Sequence, residues 1–83
     1  MSAYTVEIRV MPRASLLDPQ GQAVQHALQA LGFAEVRNVR AGKHLVLQVQ
    51  ASTREEAASK ARTMCDRLLA NPVTEDYECN VSQ

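Results

Sequence analysis

The strand-like segment near the start of the chain constrains the fold more than any other feature of the sequence. In YTVEIRVM, residues 4–11, Tyr4, Val6, Ile8 and Val10 alternate with polar side chains. A period of two places the apolar side chains on one face of a half-buried strand. A sheet built from such strands has one covered face and one face open to solvent. The rest of the chain must therefore supply elements that cover the apolar face.

The first helix is expected to begin after Asp18 and to end before Gly32. Asp18 is a good N-cap residue, Pro19 suits the first helical position, and Gly21 permits close approach of another backbone. Free N–H groups at this helix start could hold an anion, but no phosphate-binding glycine motif is present and the aspartate would repel a phosphate. A capped helix start is therefore the favoured interpretation. Gly32 can adopt the left-handed conformation that ends a helix. The apolar stripe of this helix comprises Val24, Ala27, Leu28 and Leu31.

A weaker strand signal and a stronger one follow the first helix. In EVRNVR, residues 35–40, the spacing of Val36 and Val39 breaks the two-residue period, and a bulge near Asn38 would restore it. After a turn at residues 41–43, the segment HLVLQVQ alternates well. Its inward-facing residues are Leu45, Leu47 and Val49. We expect the two strands to form a hairpin.

The second helix has a capping-box signature at its start. Ser52 is the expected N-cap, and Glu55 stands at the third helical position. Pro72 cannot continue a helix and disfavours helical geometry in the residue before it, so the helix should end near Asn71. Its predicted inward stripe comprises Ala57, Ala61, Met64, Cys65, Leu68 and Leu69. A last strand is predicted where Tyr77, Cys79 and Val81 alternate with Glu78 and Asn80.

These segments predict one α+β domain spanning residues 1–83. The order β-α-β-β-α-β is that of the ferredoxin-like fold, in which two helices cover one face of an antiparallel sheet. The predicted residues of the open face are Thr5, Glu7, Arg9, Val46, Gln48, Gln50, Glu78 and Asn80. The edge strands of a small sheet expose unpaired backbone groups, and a chain of 83 residues is near the lower limit for folding alone. Both points favour a homodimer or a larger partner.

Composition and charge argue against several classes of protein. Hydrophobic residues make up 46% of the chain, which is typical of a globular domain. Nine basic residues balance nine acidic ones, whereas a nucleic-acid-binding domain usually carries a basic surplus. The start MSAYTVEIRV lacks the apolar core of a signal peptide, and no apolar run is long enough to span a membrane. We therefore expect a cytoplasmic protein that binds neither nucleic acid nor membrane.

No catalytic or metal-binding constellation is recognisable in the sequence. His26 and His44 have no cysteine or carboxylate spacing that would join them into a metal site. Strand alternation sends Asp76 to the opposite face from Glu75, so the acidic cluster there is interpreted as a solvated strand entrance. We expect no catalytic, cofactor-binding or metal-ligating residue in this chain.

The two cysteines, Cys65 and Cys79, are interpreted as reduced and partly buried thiols, since no Cys-x-x-Cys motif surrounds them. Two other uses of this fold are also disfavoured. The first loop lacks the Cys-x-x-Cys of a metal chaperone, and the third strand lacks the stacking aromatics of an RNA-recognition motif.

Three motifs together resemble the PurS family. The first is LDPQG at residues 17–21, ahead of the apolar stripe of the first helix. The second is VRAGK at residues 39–43, and the third is LLANPVTEDY at residues 68–77. The resemblance covers about residues 4–81 without a detectable gap. PurS proteins are small subunits of bacterial and archaeal phosphoribosylformylglycinamidine (FGAM) synthase.

The resemblance implies a non-catalytic role in purine biosynthesis. The synthase converts formylglycinamide ribonucleotide, ATP, glutamine and water into FGAM, ADP, phosphate and glutamate. ATP and magnesium belong to the synthetase subunit PurL, and the glutaminase subunit is PurQ. A PurS chain is expected to form a homodimer or a dimer of dimers, and to assist assembly and ammonia transfer. The motif positions implied as assembly residues are Asp18, Pro19, Gln20, Gly21, Arg40, Gly42, Lys43, Asn71, Pro72, Glu75, Asp76 and Tyr77.

Two places depart from the family pattern. Thr74 stands where a branched apolar residue is common, and Met11-Pro12-Arg13 replaces a strand end of leucine-lysine type. The departures leave the geometry of the loop and the last strand open. The alternative function, from a different class, is a stand-alone metabolite-sensing dimer of the ACT kind. Such a dimer would bind an amino acid or a nucleotide without other subunits.

Overall fold

Three antiparallel strands form the sheet of this protein in a computed structural model that describes all residues 1–83. Strand β1 spans Ser2–Pro12, β2 spans Lys43–Ala51 and β3 spans Glu75–Ser82. β1 lies in the middle and pairs antiparallel with both of the others, so the strand order is β2-β1-β3. The predicted α+β class with an antiparallel sheet is confirmed.

The burial of the strands follows the predicted alternation. Val6, Ile8 and Val10 of β1 are fully buried. The register places Val6 between Leu47 of β2 and Val81 of β3, so the apolar residues form rows across the sheet. The opposite face is mostly polar. Its exposed residues include Glu7, Arg9, Val46, Gln48, Gln50, Glu78 and Asn80, and Thr5 on this face is half-buried.

Helix α2, Arg54–Met64, covers the apolar face of the sheet. Ala57 and Ala61 are fully buried, and their small side chains let the helix approach the strands closely. The helix runs into a π-helical turn, Cys65–Leu69, which closes with a 3.0 Å hydrogen bond from Ala70 N to Cys65 O. Ala70 is already extended, so the predicted end near Asn71 is confirmed.

The N-cap of α2 is Thr53, and the predicted cap at Ser52 is wrong. Thr53 Oγ1 accepts a 3.1 Å hydrogen bond from Glu56 N. The stretch STREE contains two overlapping capping boxes, one residue apart. Because β2 continues to Ala51, the chain needs Ser52 for the bend between strand and helix, and the second box is the one used.

Helix α1, Pro19–Ala30, stands away from the sheet. Of its residues only Gly21 is buried, and none belongs to the hydrophobic core or packs against it. The helix therefore leaves Val24 42% exposed, and Leu31 at its end 74% exposed. Gly32 has φ +106° and ends the helix in the predicted left-handed conformation. Of the two helices expected on one face of the sheet, α2 is the one that covers it here.

The molecule is elongated as a result. Its radius of gyration is 16.3 Å, and its extents are 52 × 25 × 14 Å. A compact chain of this length has a radius of gyration of about 12 Å. Neither helix is long and apolar enough to cross a membrane.

The strand and hairpin predicted for residues 35–40 do not form, and the fold has three strands in place of four. The segment runs beside α1, where Gln29 Nε2 donates to Val36 O at 2.9 Å. Val39 N donates to Gln25 Oε1 at 3.4 Å. Asn38, at the position of the predicted bulge, has φ 57°, a left-handed conformation that interrupts any extended strand. Glutamine side chains of α1 therefore take the place of a strand partner.

Met64 and Leu68, predicted to face inward, are 37% and 81% exposed. Together with Leu47 and Leu69 they border an open cleft of about 390 Å³. They stay exposed because α1 does not cover this side of α2. The cleft leaves an apolar surface without a partner in the single chain.

Candidate functional site

The three sequence motifs meet at one end of the sheet. β1 ends there, whereas β2 and β3 begin there. The register places Val10 opposite Lys43 and Pro12 opposite Glu75. The first motif follows β1, the second leads into β2 and the third leads into β3. The topology therefore brings together residues that are far apart in the sequence.

Asp18 joins the first motif to the second. Its Oδ1 accepts a 3.0 Å hydrogen bond from Gly21 N, and its Oδ2 accepts a 2.8 Å hydrogen bond from Ala41 N. The carboxylate is buried, with 7% of the residue exposed. The donors at Ala41 and Gly21, followed by the charge of Arg40, hold the pKa of Asp18 below its usual value. Asp18 is thus the predicted N-cap, and its occupied oxygens make it neither a general base nor part of an open anion site.

Arg40 fastens the loop after β1. Its Nη2 donates to Arg13 O at 2.6 Å and to Leu16 O at 2.9 Å. Its Nε lies 4.0 Å from Asp18 Oδ2, and this nitrogen is buried without a hydrogen bond. The guanidinium is therefore directed at the protein's own backbone and acidic N-cap. An open cleft of about 560 Å³ lies beside this pair.

The two motif glycines lie where a side chain would collide with backbone. A Cβ atom at Gly21 would meet the carbonyl oxygen of Val39, and one at Gly42 would meet the carbonyl oxygen of Val10. The close approach predicted for Gly21 is confirmed, and the neighbouring backbone is that of the second motif. Glycine at these positions lets the helix start, the second motif and the end of β1 come into contact.

Arg13 links the second motif to the third, although in the sequence it stands out only as a departure from the family pattern. Its N–H donates to Thr74 O at 2.9 Å, and its Nη2 donates to Pro72 O at 2.7 Å. Its Nε lies 3.6 Å from Asp76 Oδ1, while its carbonyl accepts from Arg40. The sequence does contain a cation at the end of one predicted strand and two acids at the start of another. These residues predict an ion pair only if the two strands are known to be neighbours, and the sequence did not give the strand order.

Asn71 shapes the third motif. Its N–H donates to Glu75 Oε1 at 2.7 Å, and its carbonyl accepts from Glu75 N at 2.8 Å. Its Oδ1 accepts from Val73 N at 2.9 Å. Asn71 and Glu75 therefore close a tight turn that aims the chain into β3.

Lys43 and Tyr77 attach the third motif to its surroundings. Lys43 Nζ donates to Leu69 O at 2.9 Å, a carbonyl at the end of the π-helical turn. A cation is favourable there because the last carbonyls of a helix carry partial negative charge. Tyr77 Oη donates to Asp66 Oδ1 at 3.4 Å. Partial burial and the neighbouring Asp66 charge raise the pKa of Tyr77.

Among the titratable side chains, no group of three or more His, Cys, Asp or Glu is arranged to hold a metal ion. His26 is exposed on α1. His44 lies on the open face of the sheet, with its Nε2 3.4 Å from Glu7 Oε2. The motif end of the molecule is instead held together by hydrogen bonds between side chains and backbone.

Comparison with known proteins places the whole chain among relatives of one kind. The family PurS, described as phosphoribosylformylglycinamidine (FGAM) synthase, matches residues 5–83. The phosphoribosylformylglycinamidine synthase subunit PurS of Bacillus subtilis is 44% identical over 80 residues, covering 96% of this chain and 94% of the relative. The subunit PurS of Synechocystis is 47% identical over 75 residues, covering 90% of this chain and 75% of the relative.

Solved structures agree with these matches. The structure of Bacillus subtilis PurS superposes with a TM-score of 0.88 and covers 96% of this chain and 99% of the other. A chain in the structure of PurLQS from Thermotoga maritima has a TM-score of 0.88 at 32% identity. That match covers 98% of this chain and 99% of the other.

Proposed function

The chain belongs to the PurS family of phosphoribosylformylglycinamidine synthase subunits, and on this premise we propose that it is the non-catalytic small subunit of that synthase. The observation that carries the proposal is the full-length match to a chain of PurLQS from Thermotoga maritima. The motif end of this chain supports it as well, because Asp18 and Arg40 are directed at the protein's own backbone. In this role the chain assists the conversion of formylglycinamide ribonucleotide to FGAM in purine biosynthesis.

The proposed partners are a synthetase subunit, PurL, and a glutaminase subunit, PurQ. ATP and magnesium are assigned to the synthetase subunit, where the ligase chemistry takes place. The small subunit holds the two larger ones in an arrangement that lets ammonia pass from the glutaminase to the synthetase. The proposed location is the cytoplasm. Cys65 and Cys79 are in contact but are free thiols, and a reducing compartment keeps cysteines in this reduced form.

The motif residues divide into two proposed roles. Asp18, Gly21, Arg40, Glu75 and Tyr77 are buried or half-buried and shape the surface through contacts within the chain. The other motif positions are exposed and are proposed to contact the partners. These are Pro19, Gln20, Gly42, Lys43, Asn71, Pro72 and Asp76.

A second copy of the chain is proposed as a further partner, because one copy leaves two apolar surfaces uncovered. One is the stripe of α1, where Val24 and Leu31 are exposed. The other is the cleft between Leu47 and Leu68 beside α2. Burying both in a homodimer, or in a tetramer of two dimers, would supply the hydrophobic contacts that α1 lacks in the single chain.

The test is synthase turnover with the synthetase and glutaminase subunits of the same organism, with and without this chain. With glutamine as nitrogen donor, we expect turnover to require the chain, because ammonia must pass between subunits. With free ammonia as donor, turnover should largely persist without it, since no transfer between subunits is needed.

Equal glutamine-dependent turnover with and without the chain would contradict the proposal. The alternative, a metabolite-sensing dimer of the ACT kind, would then be examined by calorimetry of the isolated chain with amino acids and nucleotides. The small-subunit proposal expects no heat of binding in that measurement.

A further inference from the structure

Two thiols lie in contact where the π-helical turn meets β3. Cys65 Sγ and Cys79 Sγ are 3.9 Å apart, and both cysteines are free. Cys65 is the first residue of the π-helical turn and is fully buried, whereas Cys79 on β3 is half-buried. The pair therefore consists of one half-buried thiol on an edge strand and one fully buried thiol in contact with it.

We propose that Cys65 and Cys79 form a site of reversible oxidation, at which a hydroperoxide converts the two thiols into an intrachain disulfide. A disulfide bond is about 2.05 Å long, so the two sulfurs must approach from van der Waals contact by rotation about their Cα–Cβ bonds. The π-helical turn supports this movement. Its wider hydrogen-bond ring, from Ala70 N to Cys65 O, begins at the cysteine that has to move.

The reaction proceeds in two steps that balance. The Cys79 thiolate attacks one oxygen of the hydroperoxide, so an S–O bond forms while the O–O bond breaks, and the other oxygen leaves as water or an alcohol. Cys65 then attacks the Cys79 sulfur, so the S–S bond forms while the S–O bond breaks, and water leaves. The two thiols lose two protons and two electrons in total, and the hydroperoxide is reduced.

The environments of the two cysteines set the order of these steps. Burial, followed by the neighbouring Cys79 and the charge of Asp66, raises the pKa of Cys65 to about 11. Cys65 is therefore protonated at neutral pH and shielded from solvent, and it reacts poorly with an oxidant on its own. Its contact with Cys79 makes it the thiol that closes the disulfide after Cys79 has been oxidised.

Closing the disulfide would join Cys65 and Cys79, which flank the third motif on either side. The covalent ring would run from residue 65 to residue 79 and would contain Asn71, Pro72, Glu75, Asp76 and Tyr77. A crosslink of this kind restricts the segment between its ends. Oxidation is thus expected to stiffen the turn that carries the exposed motif positions.

The test is treatment of the purified full chain with hydrogen peroxide at neutral pH, followed by mass spectrometry without reductant. The intact chain should become lighter by two hydrogen atoms while keeping the mass of a single chain. Trypsin should then release one crosslinked product that joins residues 63–67 to residues 68–83, because it cleaves after Arg62 and after Arg67, and Arg67 lies between the two cysteines. Dithiothreitol should restore the original mass.

Two variants make the proposed order falsifiable. In Cys65→Ser, Cys79 should accumulate as a sulfenic acid that dimedone traps. In Cys79→Ser, Cys65 should remain unmodified over the same time. Oxygen addition without a crosslink in the wild type, a disulfide between two chains, or equal oxidation of Cys65 in Cys79→Ser would each overturn the proposal.

Discussion

At the motif end, the packing of three segments depends on the carboxylate of Asp18 and on the absence of a Cβ atom at Gly21. Asp18 caps α1 and at the same time accepts a hydrogen bond from Ala41, so one carboxylate fixes both the helix start and the segment that enters β2. Gly21 permits this arrangement because the carbonyl of Val39 occupies the space that a Cβ atom would need. The motif spacing predicted the cap and the close approach. The identity of the neighbouring backbone emerged only from the fold.

Replacing Asp18 by asparagine is expected to lower the thermal unfolding midpoint at pH 7. Asparagine keeps one acceptor for the helix cap, but its amide nitrogen cannot accept from Ala41 N. The pKa of Asp18 is depressed in the folded state, so its contribution is fully present above the ordinary carboxyl pKa of 3.8 and is lost as the pH falls through the folded-state value.

The unfolding midpoints of wild type and Asp18→Asn should therefore converge on acidification below that ordinary value. Scanning calorimetry from pH 7 to acid measures the difference. A gap that stays constant over this range would contradict the role of the ionised carboxylate.

Replacing Gly21 by alanine tests the close approach. In an exposed helix interior this change stabilises by about 1 kcal/mol through helix propensity. Here it should destabilise by roughly 1–3 kcal/mol, because the added methyl group collides with the Val39 carbonyl and backbone must shift. Urea unfolding measures the difference, with the exposed neighbour Gln20→Ala as a control that should change stability little.

At the scale of elements, the predictions succeeded where the hydrophobic period was strong and failed where side chains replaced backbone partners. β1, β2 and β3 follow their periods closely, and α2 follows its period at Ala57 and Ala61 but not at Met64. The segment at residues 35–40 had a broken period, and two glutamines of α1 bind its backbone in place of a strand. The local sequence pattern does not predict such side-chain hydrogen bonds. Arg13 was missed for the same reason, since its contacts depend on which strands are neighbours.

The capping of α2 allows a matched comparison between adjacent residues. Thr53→Ala removes the acceptor of Glu56 N and should cost about 1 kcal/mol of unfolding free energy. Ser52→Ala, one position earlier, should cost less than about 0.5 kcal/mol, because Ser52 lies in the bend before the cap. Urea unfolding of both variants measures the two changes. A larger loss at Ser52 than at Thr53 would show that the first of the two overlapping boxes is the one used in solution.

At the scale of the whole molecule, the elongated shape is a consequence of where α1 lies. The core is formed by the three strands and α2 together with the π-helical turn, and α1 contributes nothing to it. The sequence predicted the hydrophobic stripe of α1, but it did not predict which surface the stripe would cover. Periodicity shows that a helix has an apolar face, and it cannot show whether that face packs within the chain or against another chain.

A charge on the apolar stripe should therefore affect association and leave the fold intact. Val24→Lys places a cation on that stripe, and the stripe of one chain is exposed. We expect the variant to elute as a smaller species than the wild type in size-exclusion chromatography with light scattering. His26→Lys, an exposed position on the opposite side of the same helix, serves as the control and should keep the wild-type mass. Equal masses for wild type and Val24→Lys would rule out the stripe as the contact between copies.

α1 meets the sheet at one end only, and the hydrogen bonds of Asp18 and Arg40 hold it there. These bonds therefore control the direction of the helix. The helix has 12 residues and is about 18 Å long, so it acts as a lever that pivots on that end. An angular error of about 10° at the pivot would displace the far tip by about 3 Å, which is comparable to the rise of two helical residues. A displacement of that size would misalign the tip with whatever surface it meets. The contacts of Asp18 and Arg40 therefore determine how accurately the C-terminal end of α1 is positioned.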